Sequence, residues 1–368
     1  MALSSTLNNG YKLSIAALQT VVPTNPTDPR QSFRLTVPQN LSSTGILQRR
    51  FHVLFCYNKT RDEDSGWLLA GRIKESLGRA LQEQPLLAGR LRRCGDSGGD
   101  LEIVSNDSGV RLVEASVEHK LADFLELRDK DDAGAELVFW EDFTEDNPQF
   151  SPLFYVQVTN FTCGGYSIGI SCSLLLVDPF LLSNFLKRWA DLHNTMFSRT
   201  DLPEFPTFYL PKLGKSTGSS AGLQMGSNAS KNAAQSVIFK LPKKFPELDD
   251  KNLAALCIKE AEREVATKMA SNFSIFVKAP YGDTQVEICS TQLEVSESTT
   301  SPGGVVSDLS CARTWDELGL ENICLNEGTK AVYVSCWINS AVDEGCVMII
   351  PPSDEKNIMG LKIIVTFS

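Results

Sequence analysis

Proton-transfer chemistry in this chain has three histidines to draw on: His52, His119 and His193. A base must be delivered to its proton by a rigid element before its pKa matters. His52 lies inside the apolar run Arg50–Tyr57 (RFHVLFCY), which makes a structural imidazole the expectation. His193 follows a helical apolar stripe near a helix end, where the macrodipole favours an imidazolium, and it too reads as structural. His119 stands four residues before Asp123 in HKLAD, but Glu114, Glu118 and Lys120 surround it with solvated charge, so no catalytic role is expected. The stretch Gly169–Ser173 (GISCS) starts like a G-x-S-x-G nucleophile elbow. Its fifth position is Ser173, without the glycine that the strained turn needs. Neither a Walker glycine loop nor a G-x-G-x-x-G fingerprint is present.

The junction Ser171–Phe180 (SCSLLLVDPF) is the place where chemistry is most expected, because it ends an apolar strand and opens an amphipathic helix. It offers one carboxylate, Asp178, and no base. Neither Cys172 nor Ser171 nor Ser173 has a histidine in the local sequence to activate it.

The elements that must position these residues follow from periodicity. Tyr11–Val22, Arg50–Tyr57 and Leu101–Val104 read as strands, and Asn106–Gly109 as a turn. Leu69, Ile73, Leu77 and Leu81 fall on one face of a helix over Trp67–Leu81, which ends at Pro85 before a turn at Gly89. Phe154–Phe161 and Tyr166–Ser173 flank Cys163-Gly164-Gly165 as a hairpin. From Pro179 the period becomes helical, with Phe180, Leu182, Phe185, Leu186, Trp189 and Leu192 in one stripe. Lys215–Ala234 is Gly/Ser-rich and polar, which predicts a flexible crossover. Beyond it come strands at Ser236–Leu241, Asn272–Val277, Gln285–Cys289, Val332–Ile338, Val347–Ile350 and Leu361–Phe367, and a helix over Asp249–Met269. The class is α/β in two lobes.

Composition narrows the partners. A net charge of −10 without a basic run argues against nucleic acid and anionic lipid surfaces. No secretory signal and no 18-residue apolar run is read, so no direct membrane span is expected. The ten cysteines show no C-x-x-C spacing and read as reduced thiols, with no metal site.

The segments Gln84–Arg93 (QPLLAGRLRR) and Phe150–Asn194, followed by a linker and a second lobe, resemble the plant BAHD acyltransferase family. The resemblance implies a two-lobed chloramphenicol-acetyltransferase-like fold with mixed sheets and a tunnel between the lobes. It also implies an H-x-x-x-D-G motif at the strand end and D-F-G-W-G near the C-terminus. In the family the histidine removes the acceptor's proton, and the aspartate pairs with an arginine. Here Leu174 stands at the histidine position, Asp178 is kept and Pro179 replaces the glycine. The segment Cys324-Leu325-Asn326-Glu327-Gly328 stands where D-F-G-W-G would, with only Gly328 in common.

The likeness is strongest over residues 60–200 and implies an N-terminal lobe over 1–213, a linker over 214–235 and a shortened C-terminal lobe over 236–368. Asn106–Glu118 is similar to the eceriferum branch, most of all to eceriferum 26-like members, which are implicated in cuticular wax. The resemblance therefore implies a non-catalytic accessory factor in very-long-chain fatty-acid elongation. Its partners would be a ketoacyl-CoA synthase and acyl-CoA as a ligand, with no resident cofactor. The expected protein is a cytoplasmic monomer held peripherally at the endoplasmic reticulum through that partner. The alternative is an acyl-CoA-dependent acyltransferase or a BAHD-like lyase that works without the histidine.

Overall fold

The computed structural model describes residues 3–6, 12–38, 45–60, 66–94, 100–128, 133–143, 147–197, 234–242, 248–279, 283–291, 310–312, 315–325, 329–339, 344–352 and 359–367. The first half contributes strands β1 (Leu3–Thr6), β2 (Lys12–Val21), β3 (Ser32–Thr36), β4 (Arg50–Tyr57), β5 (Arg90–Cys94), β6 (Asp100–Val104), β7 (Val110–Val117), β8 (Phe154–Phe161) and β9 (Tyr166–Ser173). Its helices are α1 (Gly66–Glu83), α2 (Leu121–Leu125) and α3 (Pro179–Phe197). The second half contributes β10 (Ser236–Pro242), α4 (Asp250–Val265), β11 (Asn272–Lys278), β12 (Thr284–Ser290), β13 (Ser310–Ala312), β14 (Tyr333–Asn339), β15 (Gly345–Ile350) and β16 (Met359–Thr366).

Two mixed sheets organise these elements. The first runs β1-β2-β7-β8-β9-β4-β14, and the second runs β13-β10-β16-β15-β11-β12-β3-β6-β5. Neither is built from one half of the chain. Strand β14 closes the first sheet by pairing antiparallel with β4, whereas β3, β5 and β6 extend the second beyond β12. The crossover expected near 214–235 falls almost wholly in residues 198–233, outside the described residues.

Local chemistry explains the central elements. Every residue of β4 and of β9 is buried, so both faces of these strands are covered and their sequences read as continuous runs rather than as alternation. The predicted hairpin forms in register, Phe154 opposite Cys172 and Asn160 opposite Tyr166, with Gly164 at φ 83 in the connection. Helices α1 and α3 bury Leu69, Ile73, Leu77 and Leu81 on one side and Leu182, Phe185, Leu186 and Trp189 on the other. A second core cluster lies between the second sheet and α4, from Phe239, Phe273 and Val347 to Leu253 and Cys257.

Two boundaries differ from expectation. Helix α4 stops at Val265 because Ala266 turns into the left-handed region at φ 57. There the Glu262 carboxylate accepts from the backbone N–H of Met269 at 2.9 Å and draws the chain back. Strand β5 (RLRRC) follows the turn at Gly89, where no strand was expected; its exposed Arg92 and Arg93 suit an edge position, since charge there discourages pairing with other chains.

Candidate functional site

Strand β9 ends by handing its backbone to two neighbours. Ser173 N–H donates to the Leu153 carbonyl at 2.9 Å, and Leu174 N–H donates to that of Arg49 at 3.0 Å. The chain then turns, with Leu176 N–H on the Ser173 carbonyl at 3.0 Å and Leu175 N–H on Ser173 Oγ at 3.3 Å. Leu174 is 0% exposed and belongs to the main core cluster. The position that the resemblance assigns to a base is therefore filled by packed hydrocarbon.

Asp178 and Pro179 make a helix start. Pro179 takes the first helical position, where its missing N–H costs nothing. Asp178 Oδ1 accepts from the N–H groups of Phe180 at 2.9 Å and Leu181 at 3.0 Å, satisfying two donors that the helix itself leaves without acceptors. Burial pushes the Asp178 carboxyl above its usual range; these N–H groups and the nearby Lys278 and Lys362 partly offset the shift.

The arginine partner expected for Asp178 is not there. Among the described residues no arginine pairs with it, and the nearest buried cation is a lysine from the other sheet. Lys278 of β11 donates to the Leu175 carbonyl at 2.9 Å and to Thr284 Oγ1 at 3.2 Å, one residue beyond Leu174. Burial lowers its pKa to about 8, against the opposing pull of Asp178. Arg49 reaches the opposite way: its Nη2 donates to the carbonyls of Glu344 at 2.8 Å and Gly345 at 2.9 Å. The two sheets are thus stitched together by one buried cation from each side, with Leu174 between the stitches. Lys278 escaped the sequence reading, although a lone lysine in the run NFSIFVKAP is the signal that marks it.

His52 and His193 are absorbed elsewhere, and His119 stands just before α2, its backbone carbonyl accepting from the Thr162 N–H at 3.0 Å. Arg50 Nε donates to His52 Nε2 at 3.2 Å, so Nδ1 carries the imidazole proton and gives it to Ser171 Oγ at 2.8 Å. That tautomer cannot take a proton from Ser171. Burial, aided by the Arg50 charge, holds His52 well below the usual imidazole range. Arg50 in turn pairs with Asp142 at 3.2 Å and lies 5.2 Å from the centre of the Trp140 ring.

His193 corrects the dipole expectation. It is buried at the contact of α1 and α3 with Nδ1 2.8 Å from Ser76 Oγ, which also accepts from Trp189 Nε1 at 3.0 Å. Burial lowers its pKa to about 4, with help from Arg72, so desolvation outweighs the helix end and the ring is neutral. Asp123 accepts from the Lys120 N–H at 3.1 Å and caps α2, where HKLAD had offered an acid/base spacing.

The two segments that the resemblance equates with the family's motifs are not brought together. Leu174 is bonded at the start of β4, whereas Tyr57, at the far end of that strand, donates to the Ile323 carbonyl at 3.3 Å beside Cys324. At about 3.3 Å per residue they lie on the order of 20 Å apart. The Cys324 carbonyl accepts from Asn194 Nδ2 at 2.7 Å, and Leu325 is buried in the main core. Asn326, Glu327 and Gly328 lie outside the described residues.

The elbow candidate is regular strand. Ser171 sits within β9, and the turn comes only after Ser173. Gly169 answers a packing need, because an added Cβ would stand 1.9 Å from the Leu137 carbonyl oxygen. Gly169→Ala is expected to cost about 3 kcal/mol by forcing that backbone away from the sheet. A urea midpoint within experimental error of the parent protein would refute this account of the glycine.

No helix among the described residues is long and apolar enough to cross a membrane. Among curated proteins, the chain is 34% identical over 118 residues to "Protein ECERIFERUM 26-like" of Arabidopsis thaliana, covering 32% of this chain and 27% of that one. It is 32% identical over 168 residues to a hydroxycinnamoyl-CoA:piscidic acid hydroxycinnamoyltransferase of Actaea racemosa, covering 46% and 36%. The chain thus matches well under half the length of these relatives. The crystal structure of vinorine synthase superposes with a TM-score of 0.50 at 14% identity, over 96% of this chain and 94% of that one, which shows the two-lobed fold. A profile of the Transferase family matches residues 11–272, and with that match the chain belongs to the transferase family of BAHD acyltransferases.

Proposed function

We propose that this protein is a non-catalytic member of its family that assists very-long-chain fatty-acid elongation for cuticular wax. It would act through contact with a ketoacyl-CoA synthase at the endoplasmic reticulum, with acyl-CoA as the ligand it recognises. The observation that carries this reading is the burial of Leu174 in the core at the position of the family's base, with His52 and His193 both engaged elsewhere. A leucine accepts no proton, and one packed against both sheets leaves an acceptor nowhere to be deprotonated. The likeness to an eceriferum protein supports the choice of pathway.

Three measurements test it together. The tagged protein is expected to co-purify with ketoacyl-CoA synthases of the same tissue, and loss of the gene to shorten the wax chains. Purified protein is expected to release no CoA from long-chain acyl-CoA, whether or not an alcohol acceptor is present. Turnover that disappears in Asp178→Ala would sink the reading.

A second reading, an acyltransferase or lyase without the histidine, has Lys278 in its favour. An amine with a pKa of about 8, bonded one residue from Leu174, exists partly in its neutral, proton-accepting form at cellular pH. CoA release lost in Lys278→Met would establish that reading in place of the first. Leu174→His is expected to restore no activity, because the new ring would be enclosed by core residues.

A further inference from the structure

Two buried cations, Arg49 and Lys278, meet at the seam between the sheets, and Arg49 is short of acceptors. Arg49 is fully buried, and only its Nη2 is bonded; Nε and Nη1 have no hydrogen-bond partner among the described residues. A buried guanidinium edge without an acceptor is costly, as is any buried charge without a counter-ion. Ser274 Oγ is likewise fully buried and unpartnered.

These donors share a neighbourhood. Ser274 lies beside Cys346 in the parallel register of β11 and β15, and Arg49 is bonded to the carbonyl of Gly345, the residue before Cys346. Strand alternation puts Ser274, Phe276 and Lys278 on one face of β11, and Phe276 and Cys346 both belong to the core cluster that includes Leu174. Arg49 and Lys278 both act electrostatically on the Cys346 thiol. Two carboxylates lie nearby: Asp178 spends Oδ1 on its helix and its Oδ2 is bonded to neither cation, and Glu344, whose carbonyl accepts from Arg49, has a buried Oε2 that is likewise bonded to neither.

We propose that Arg49, Ser274 and Lys278 form an internal binding site for a small oxyanion, a carboxylate or a phosphate group. The guanidinium supplies directed N–H donors, the serine a hydroxyl donor and the lysine a second positive charge, a combination that suits planar or tetrahedral oxyanions. The site does not depend on the accessory role, and failure to bind a synthase would leave it standing.

Thermal unfolding of the full chain, titrated with sodium acetate or inorganic phosphate at constant ionic strength, tests the site. One of the two is expected to raise the Tm saturably, by about 4 °C near saturation. The series that saturates at lower concentration identifies the oxyanion as carboxylate or phosphate. Ser274→Ala, which removes one hydroxyl and little volume, is expected to raise the half-saturating concentration about tenfold. Arg49→Met is expected to abolish saturation, and the exposed-site control Arg188→Ala to leave it unchanged. If Arg49→Met does not fold, Ser274→Ala decides. Tm rises that never saturate, or that are the same in Ser274→Ala as in the parent protein, overturn the proposal.

Discussion

Asp178→Ala is expected to lower folding stability by about 3 kcal/mol. Loss of the cap on α3 accounts for about 1–2 kcal/mol, since the N–H groups of Phe180 and Leu181 are left inside the protein without an acceptor. The remainder comes from Lys278, which stays buried after its nearest carboxylate is gone. Asp178→Asn separates these contributions, because an amide oxygen can still cap the helix while the charge disappears; it should cost only the remaining part, about 1–2 kcal/mol. Urea denaturation with an unchanged m-value reads both quantities. A cost under 1 kcal/mol for the alanine variant would mean that Asp178 no longer anchors the junction.

Acidification should loosen the protein well before its carboxylates titrate. His52 and His193 are held neutral by burial, with folded pKa values below the unfolded value of about 6.5, that of His193 at about 4. The unfolded chain therefore binds more protons between these values, and stability falls as the pH falls through that window. From pH 7 to pH 5 His193 contributes a loss of about 2 kcal/mol, and His52 adds to it in the same direction. Asp178 works in the opposite sense, since its folded pKa is raised, and it trims the loss near the acid end. His193→Gln keeps a polar atom for Ser76 but cannot titrate, so its stability should fall less steeply, by about 2 kcal/mol over that range. An unchanged slope in that variant would show that His193 is charged in the fold.

Much of the frame around the site is local in origin, and that part is readable. Arg50–Tyr57 is a strand because its apolar run is too short for a helix and is β-branched and aromatic; Phe154–Ser173 is a hairpin because a Gly pair separates two such runs. Leu174 and Pro179 are recognisable as departures from a motif by their types alone. The cation nearby is not readable, because Lys278 comes from a strand a hundred residues further along the chain and reaches the Leu175 carbonyl through the packing of two sheets. The charge state of His193 is hidden for the same reason. A helix end is visible in sequence, and Trp189 and Phe197 lie one turn to either side of the ring on the same helix, but Ser76 and Arg72 reach it from α1 through tertiary contact. Strand β3 escaped notice because it is mostly exposed and shows no clear alternation.

The exchange of strands between halves also sets the order in which the protein can be completed. Strand β4 leaves the ribosome early, yet the edge that β14 covers, from Arg50 opposite Asn339 to Cys56 opposite Tyr333, has no partner until almost the whole chain exists. At roughly 5–20 residues per second that interval lasts on the order of tens of seconds. During it a mostly apolar strand presents open backbone groups, an invitation to mispairing that a nascent-chain chaperone is suited to shield. Closure of the first sheet is thus a late event, coupled to the arrival of the same segment of chain that delivers β15 and the carbonyls gripped by Arg49.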